Sequence, residues 1–100
     1  MGFDTIPAKD LKKYSDRSLY VLVDVRQPSQ YWQEHIPGAI NIPYESIVFP
    51  MSGLDRRKTY VLYCDRGATS LLAARKLHEA GYNVLSIIGG LGAYQGPLAR

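Results

Sequence analysis

The sequence predicts a single α/β domain, residues 1–100, with a five-stranded, mostly parallel sheet and helices on both faces. Three observations lead to this fold class. The length of 100 residues suits one domain. Short apolar runs lack a clean alternation of apolar and polar residues, which is typical of strands covered on both faces. Helical patterns lie between these runs, and strands that alternate with helices form parallel sheets.

The predicted strands are the apolar runs, which are rich in β-branched and aromatic residues. Three of them are long and two are short, and the first in the chain is expected at an edge of the sheet. They occupy residues 3–6, 21–25, 39–42, 60–64 and 84–88.

The predicted helices lie between those strands. Pro7 and Pro28 are each well placed in a first helical turn, where the missing N–H of proline costs no hydrogen bond. The clearest helix spans residues 69–80, because small and apolar side chains recur along one of its faces. Gly81 is the expected left-handed C-terminal stop of that helix.

Composition and charge exclude several classes of function. The net charge of +3 is mildly basic. The one cluster of basic residues, 56–58, is expected to be a solvated loop. A nucleic-acid-binding surface would have aromatic side chains between the basic ones, and this cluster has none. No apolar run has the 18 or more residues of a membrane helix, and the N-terminus lacks a signal pattern. We therefore expect a cytoplasmic protein with neither a nucleic-acid nor a membrane partner.

The chain contains one cysteine, Cys64. A single cysteine allows neither an internal disulfide nor a multi-cysteine metal site, and we expect no metal and no cofactor. An external thiol must therefore complete any redox cycle at this residue.

The segment from Cys64 to Ser70 joins a predicted strand to a predicted helix and contains Gly67. Ligands bind beyond the carboxyl ends of parallel strands, so this loop belongs to the functional edge of the sheet. A short glycine-containing turn before a helix can direct several N–H groups inward, and these stabilise a thiolate. The alternative is that Cys64 is a small hydrophobic residue that ends a strand.

Several motifs in order along the chain resemble the rhodanese domain family. They are the segments 22–26, 31–43, 64–70, 81–84 and 89–90, the last followed by an aromatic residue at Tyr94. The resemblance implies a five-stranded parallel sheet and a thiosulfate sulfurtransferase. In that activity the loop cysteine becomes a persulfide, and sulfane sulfur passes from thiosulfate to cyanide or a thiol.

The resemblance also implies roles for individual residues. Cys64 is the nucleophile, and the residues that bind the substrate are Asp65, Arg66, Gly67, Ala68 and Thr69. Many members have arginine where Thr69 stands, which leaves the choice of donor open. The expected partners are a small anionic sulfur donor, thiosulfate or a persulfide, and a thiol acceptor such as glutathione or a thioredoxin-like protein.

Other polar and aromatic residues are expected to support the structure. Asp24 lies within an apolar run, where a carboxylate needs a partner, and the expected partner is Arg26 or a loop amide. Ser70 is a further supporting residue of the loop. His35 is expected to be a structural hydrogen-bonding group and Trp32 a packing residue.

Competing functions lack their characteristic residues. A phosphatase or arsenate reductase would need an arginine at position 70 to clamp an oxyanion, but that residue is Ser70. A thioredoxin-like oxidoreductase would need a second cysteine. The remaining alternative is a non-catalytic binding module of this fold, or a partner domain in a sulfur relay.

Overall fold

The computed structural model describes residues 2–100 and contains a five-stranded sheet in the order β1-β5-β4-β2-β3. Every neighbouring pair of strands is parallel. The fold class predicted from the sequence is therefore confirmed. The strands are β1 Asp4–Pro7, β2 Tyr20–Asp24, β3 Ile40–Asn41, β4 Thr59–Tyr63 and β5 Asn83–Ile88.

Helical segments connect these strands. The α-helices are α1 Pro28–Gln33, α2 Ala68–Glu79 and α3 Gly90–Ala93, and two 3₁₀ helices span Ala8–Tyr14 and Tyr44–Ser46. Within residues 2–100, none of the helices has both the length and the hydropathy of a membrane span.

Pro7 and Gly81 were expected at the ends of helices, Pro7 at a start and Gly81 at a stop. Pro7 does not lie in a helical turn, because it pairs with Ile88 as the last residue of β1. The first 3₁₀ helix therefore begins one residue later. At the end of α2, Gly81 has the expected left-handed backbone, with φ of 93°. The N–H of Tyr82 then donates to the carbonyl of Leu77 at 3.0 Å, which closes the helix as predicted.

The two faces of the sheet carry separate hydrophobic cores. On β4, Leu62 packs in the core beneath α2, whereas its neighbours Val61 and Tyr63 pack in the core on the opposite face. All three side chains are buried. This double coverage explains why the apolar runs of the sequence do not alternate with polar residues.

The C-terminal part of the chain supports the loop after β4. The N–H of Leu91 donates to the carbonyl of Cys64 at 2.8 Å, and the N–H of Gly92 donates to that of Asp65 at 3.0 Å. Gly90 has φ of 56°, and a Cβ atom there would overlap the Cys64 carbonyl oxygen. Helix α3 thus fixes the backbone from which the loop begins.

Candidate active site

The sulfur atom of Cys64 lies at the centre of the loop between β4 and α2. It accepts hydrogen bonds from the N–H of Gly67 at 3.0 Å and from the N–H of Ser70 at 3.3 Å. These donors belong to the N-terminal end of α2, where the helix dipole adds partial positive charge. The arrangement is the nest expected from the sequence, with N–H groups directed at the sulfur atom.

Glycine at position 67 allows the loop to adopt this shape. Its φ of 101° is in the left-handed region, which residues with a Cβ atom rarely adopt. A Cβ atom there would also lie 3.1 Å from the backbone nitrogen of Gly89. The loop therefore packs closely against the backbone at the end of β5.

A cavity of about 340 Å³ opens onto the sulfur. Cys64 itself is only 4% exposed, so a small reactant must reach it through this cavity. The lining residues come from the segments that follow β2 and β4, from α1, from the second 3₁₀ helix and from the first turn of α2. They are Val25, Arg26, Gln27, Gln30, Glu45, Cys64, Asp65, Arg66, Ala68 and Thr69.

One wall of the cavity is a buried charge network. Asp24 is 0% exposed and accepts hydrogen bonds from the Arg26 side chain, the shortest of which is 2.8 Å. Burial lowers the pKa of Arg26, but the hydrogen bonds and charge of Asp24 outweigh it, so the pKa is raised from its ordinary value. Arg26 also donates to Asp65 at 3.3 Å and to the carbonyl of Glu34. Asp24 thus has the partner expected from the sequence, and Arg26 is held by protein groups.

Two carboxylates lie at the mouth of the cavity, each oriented by a glutamine. Asp65 accepts a hydrogen bond from Gln30 at 3.1 Å, and Glu45 accepts one from Gln27 at 3.0 Å. Neither glutamine nor Glu45 was predicted from the sequence to belong to the site. Gln27 and Gln30 form a capping box around Pro28, and this local pattern could have placed their side chains at the start of α1.

The remaining loop residues occupy different positions around the sulfur. Arg66 lines the cavity with an exposed side chain, and it has no ion-pair partner among residues 2–100. Ala68 and Thr69 also line the cavity. Ser70 is fully buried behind the loop, where its hydroxyl contacts Gly67 and Ser86. Ser86 was not predicted from the sequence to have a role here.

His35 and Trp32 lie near the end of α1 and do not line the cavity. The Nδ1 atom of His35 is 2.8 Å from the carbonyl oxygen of Tyr31, and the two rings stack with centroids 3.9 Å apart. The structural role expected for His35 agrees with these contacts. Trp32 is 68% exposed, so its expected packing role is wrong. Among residues 2–100, no group of histidine, cysteine, aspartate and glutamate side chains could hold a metal ion.

Comparison with known proteins identifies the family. The family model of the rhodanese-like domain matches residues 7–96. The chain belongs to the rhodanese-like domain family. The structure also superposes on that of a rhodanese-related protein from Thermoplasma volcanium with a TM-score of 0.85 and 28% identity. That alignment covers 97% of this chain and 98% of the other.

Curated relatives of this rhodanese-like domain include proteins named as sulfurtransferases. The chain is 41% identical over 71 residues to the thiosulfate sulfurtransferase PspE of Escherichia coli K12, covering 69% of this chain and 68% of PspE. It is 36% identical over 80 residues to a tRNA sulfurtransferase of Desulfurococcus amylolyticus. That match covers 80% of this chain but only 16% of the relative's length. These relatives support sulfur transfer as the class of activity.

Proposed function

We propose that this rhodanese-like domain transfers sulfane sulfur through a persulfide on Cys64. The observation that carries the proposal is the pair of backbone N–H groups, from Gly67 and Ser70, that hydrogen-bond to the Cys64 sulfur beside an open cavity. Such donors stabilise both a thiolate and the terminal anionic sulfur of a persulfide. The relatives named as sulfurtransferases add independent support.

In the first half-reaction, the Cys64 thiolate attacks the outer sulfur of thiosulfate. A new S–S bond forms to Cys64, the original S–S bond breaks, and sulfite leaves with the bonding electron pair. The cysteine then carries one additional sulfur atom as a persulfide anion. No proton is transferred in this step, so it needs no general base once the thiolate is present.

In the second half-reaction, a nucleophile takes the outer sulfur. Cyanide attacks that atom, the bond between it and the cysteine sulfur breaks, and thiocyanate leaves while the Cys64 thiolate is restored. A thiol acceptor reacts in the same way and becomes a persulfide itself. We propose glutathione or a thioredoxin-like protein as the acceptor, and the cytoplasm, where thiols are kept reduced, as the place of action.

Thiosulfate is one proposed donor, and a small persulfide is the other. Arg66 is the candidate cation for a dianionic donor, because Arg26 is already engaged by Asp24 and Asp65. The carboxylates of Asp65 and Glu45 oppose a dianion at the same mouth. A persulfide with a single charge would meet less of this repulsion.

Intact mass spectrometry tests the proposal directly. After incubation with thiosulfate, the protein should gain the mass of one sulfur atom, and cyanide should remove it. The Cys64→Ser variant is the control and should gain nothing. An unchanged mass after incubation with thiosulfate and with a small persulfide would refute the proposal, and it is the outcome expected for a non-catalytic binding module of the same fold.

A further inference from the structure

Two buried serine hydroxyls lie behind the loop that binds the sulfur. Ser70, in the first turn of α2, is 0% exposed, and Ser86, in β5, is 1% exposed. Their oxygen atoms are 2.9 Å apart, and the Ser70 hydroxyl also donates to the carbonyl of Gly67 at 3.1 Å. Neither serine lines the cavity, so neither hydroxyl takes part directly in the proposed sulfur transfer.

The direction of these hydrogen bonds follows from counting protons. A serine hydroxyl has one proton to donate and two lone pairs that accept. The Gly67 carbonyl can only accept, so the bond between them uses the one proton of Ser70. Ser86 must therefore be the donor in the bond between the two hydroxyls. The Ser86 hydroxyl thus donates to the Ser70 hydroxyl, which donates to the Gly67 carbonyl.

These hydrogen bonds lie beside the groups that contact the sulfur, because the Gly67 carbonyl shares its α-carbon with the Gly67 N–H and the Ser70 hydroxyl belongs to the same residue as the Ser70 N–H. Gly67 and Ser70 supply the two N–H groups that contact the Cys64 sulfur. Glycine restricts its own backbone less than any other residue, so the orientation of Gly67 depends on what its neighbours bind. Its carbonyl accepts hydrogen bonds from the Ser70 hydroxyl and, at 3.3 Å, from the N–H of Leu71. The Ser70 hydroxyl thus adds a second hydrogen bond to this carbonyl, which restricts the ψ angle of Gly67 and so the orientation of the Gly67 N–H relative to the start of α2.

We propose that Ser86 is a positioning residue, which acts through the Ser70 hydroxyl to orient the N–H groups that bind the Cys64 sulfur. The inference rests on the proposed function of Cys64. Packing alone does not require a hydroxyl at this place, because Val84 and Ile87 of the same strand are buried and apolar. A buried hydroxyl costs free energy unless it has a partner, and among residues 2–100 the Ser86 hydroxyl has one partner, the Ser70 hydroxyl.

The test compares Ser86→Ala, Ser70→Ala and the double variant in two assays, the pH profile of Cys64 alkylation and the rate of sulfur transfer from thiosulfate to cyanide. Loss of one neutral hydrogen bond should slow both reactions at neutral pH about five-fold in Ser86→Ala. The alkylation profile should move to higher pH. Ser70→Ala should slow both by about ten-fold or more, and the double variant should be no slower than Ser70→Ala.

Val84→Ala is the matched control, because Val84 lies two residues away in β5 and packs in the core beneath α2. It should lower Tm by at least as much as Ser86→Ala while leaving the alkylation profile unchanged. The proposal is overturned if Ser86→Ala lowers Tm but keeps the wild-type profile, or if the two serine effects multiply in the double variant. Alkylation needs no sulfur donor, so a failure of the proposed sulfur transfer would be seen separately.

Discussion

Replacement of Gly67 by alanine should impair both folding and chemistry. At φ of 101°, alanine adopts a conformation that costs about 1–3 kcal/mol. The added Cβ atom would also lie 3.1 Å from the Gly89 nitrogen, and a backbone neighbour cannot move aside as a flexible side chain would. We therefore expect the free energy of unfolding to fall by about 2–4 kcal/mol.

The loss of activity should exceed the loss of folded protein. If the loop relaxes to accommodate Cβ, the Gly67 N–H no longer contacts the sulfur at 3.0 Å. A hydrogen bond to a charged group contributes about 1.5–3 kcal/mol, which corresponds to a decrease in rate of about 10- to 150-fold. Steady-state turnover of thiosulfate and cyanide, corrected for the folded fraction from urea unfolding, measures this decrease.

Gly53→Ala provides a matched control. Gly53 has a similar left-handed backbone, with φ of 85°, but a Cβ atom there would have no neighbour within 4 Å, and the residue does not line the cavity. This variant should lose about 1–2 kcal/mol of stability and keep wild-type turnover per folded molecule. If Gly67→Ala also keeps wild-type turnover per folded molecule, the Gly67 N–H does not contribute to catalysis and the reasoning is wrong.

Three further substitutions test the charges around the cavity. Arg66→Ala should raise KM for thiosulfate about two- to five-fold at low salt, and moderate salt should remove the effect, because the side chain is exposed; an unchanged KM at low salt would show that Arg66 does not bind the donor. Asp24→Asn should lower the free energy of unfolding by about 3–5 kcal/mol, since it leaves Arg26 buried without its main partner; a loss below about 1 kcal/mol in urea unfolding would contradict this. Glu45→Gln should lower KM for thiosulfate at low salt, whereas Glu79→Gln, at the far end of α2, should not.

The sequence was most informative where local chemistry decides the structure. The strands could be predicted because residues such as Val61, Leu62 and Tyr63 are buried on both faces of the sheet, which leaves uninterrupted apolar runs. The nest around Cys64 could be predicted because a glycine and a helix start lie within a few residues of it. Both depend on short segments of the chain.

The features that were missed depend on contacts between distant segments. Helix α3 contains Gly90 and Gly92, which are poor helix formers, and hydrogen bonds to the loop carbonyls accompany its short turn. Ser86 pairs with a residue 16 positions away, and Gln30 with one 35 positions away. Trp32 was misassigned because α1 has only six residues, too few for a periodic pattern to distinguish its exposed face.

The central claim is that Cys64 carries the transferred sulfur, and the most direct measurement is the transfer of sulfur from thiosulfate to cyanide by wild type and by Cys64→Ser. No second cysteine can replace it, because the chain has only one. We predict that wild type forms thiocyanate, whereas Cys64→Ser forms none above the uncatalysed rate and has an unchanged far-UV circular dichroism spectrum. Thiocyanate formation by folded Cys64→Ser at a rate near that of wild type would contradict the persulfide mechanism.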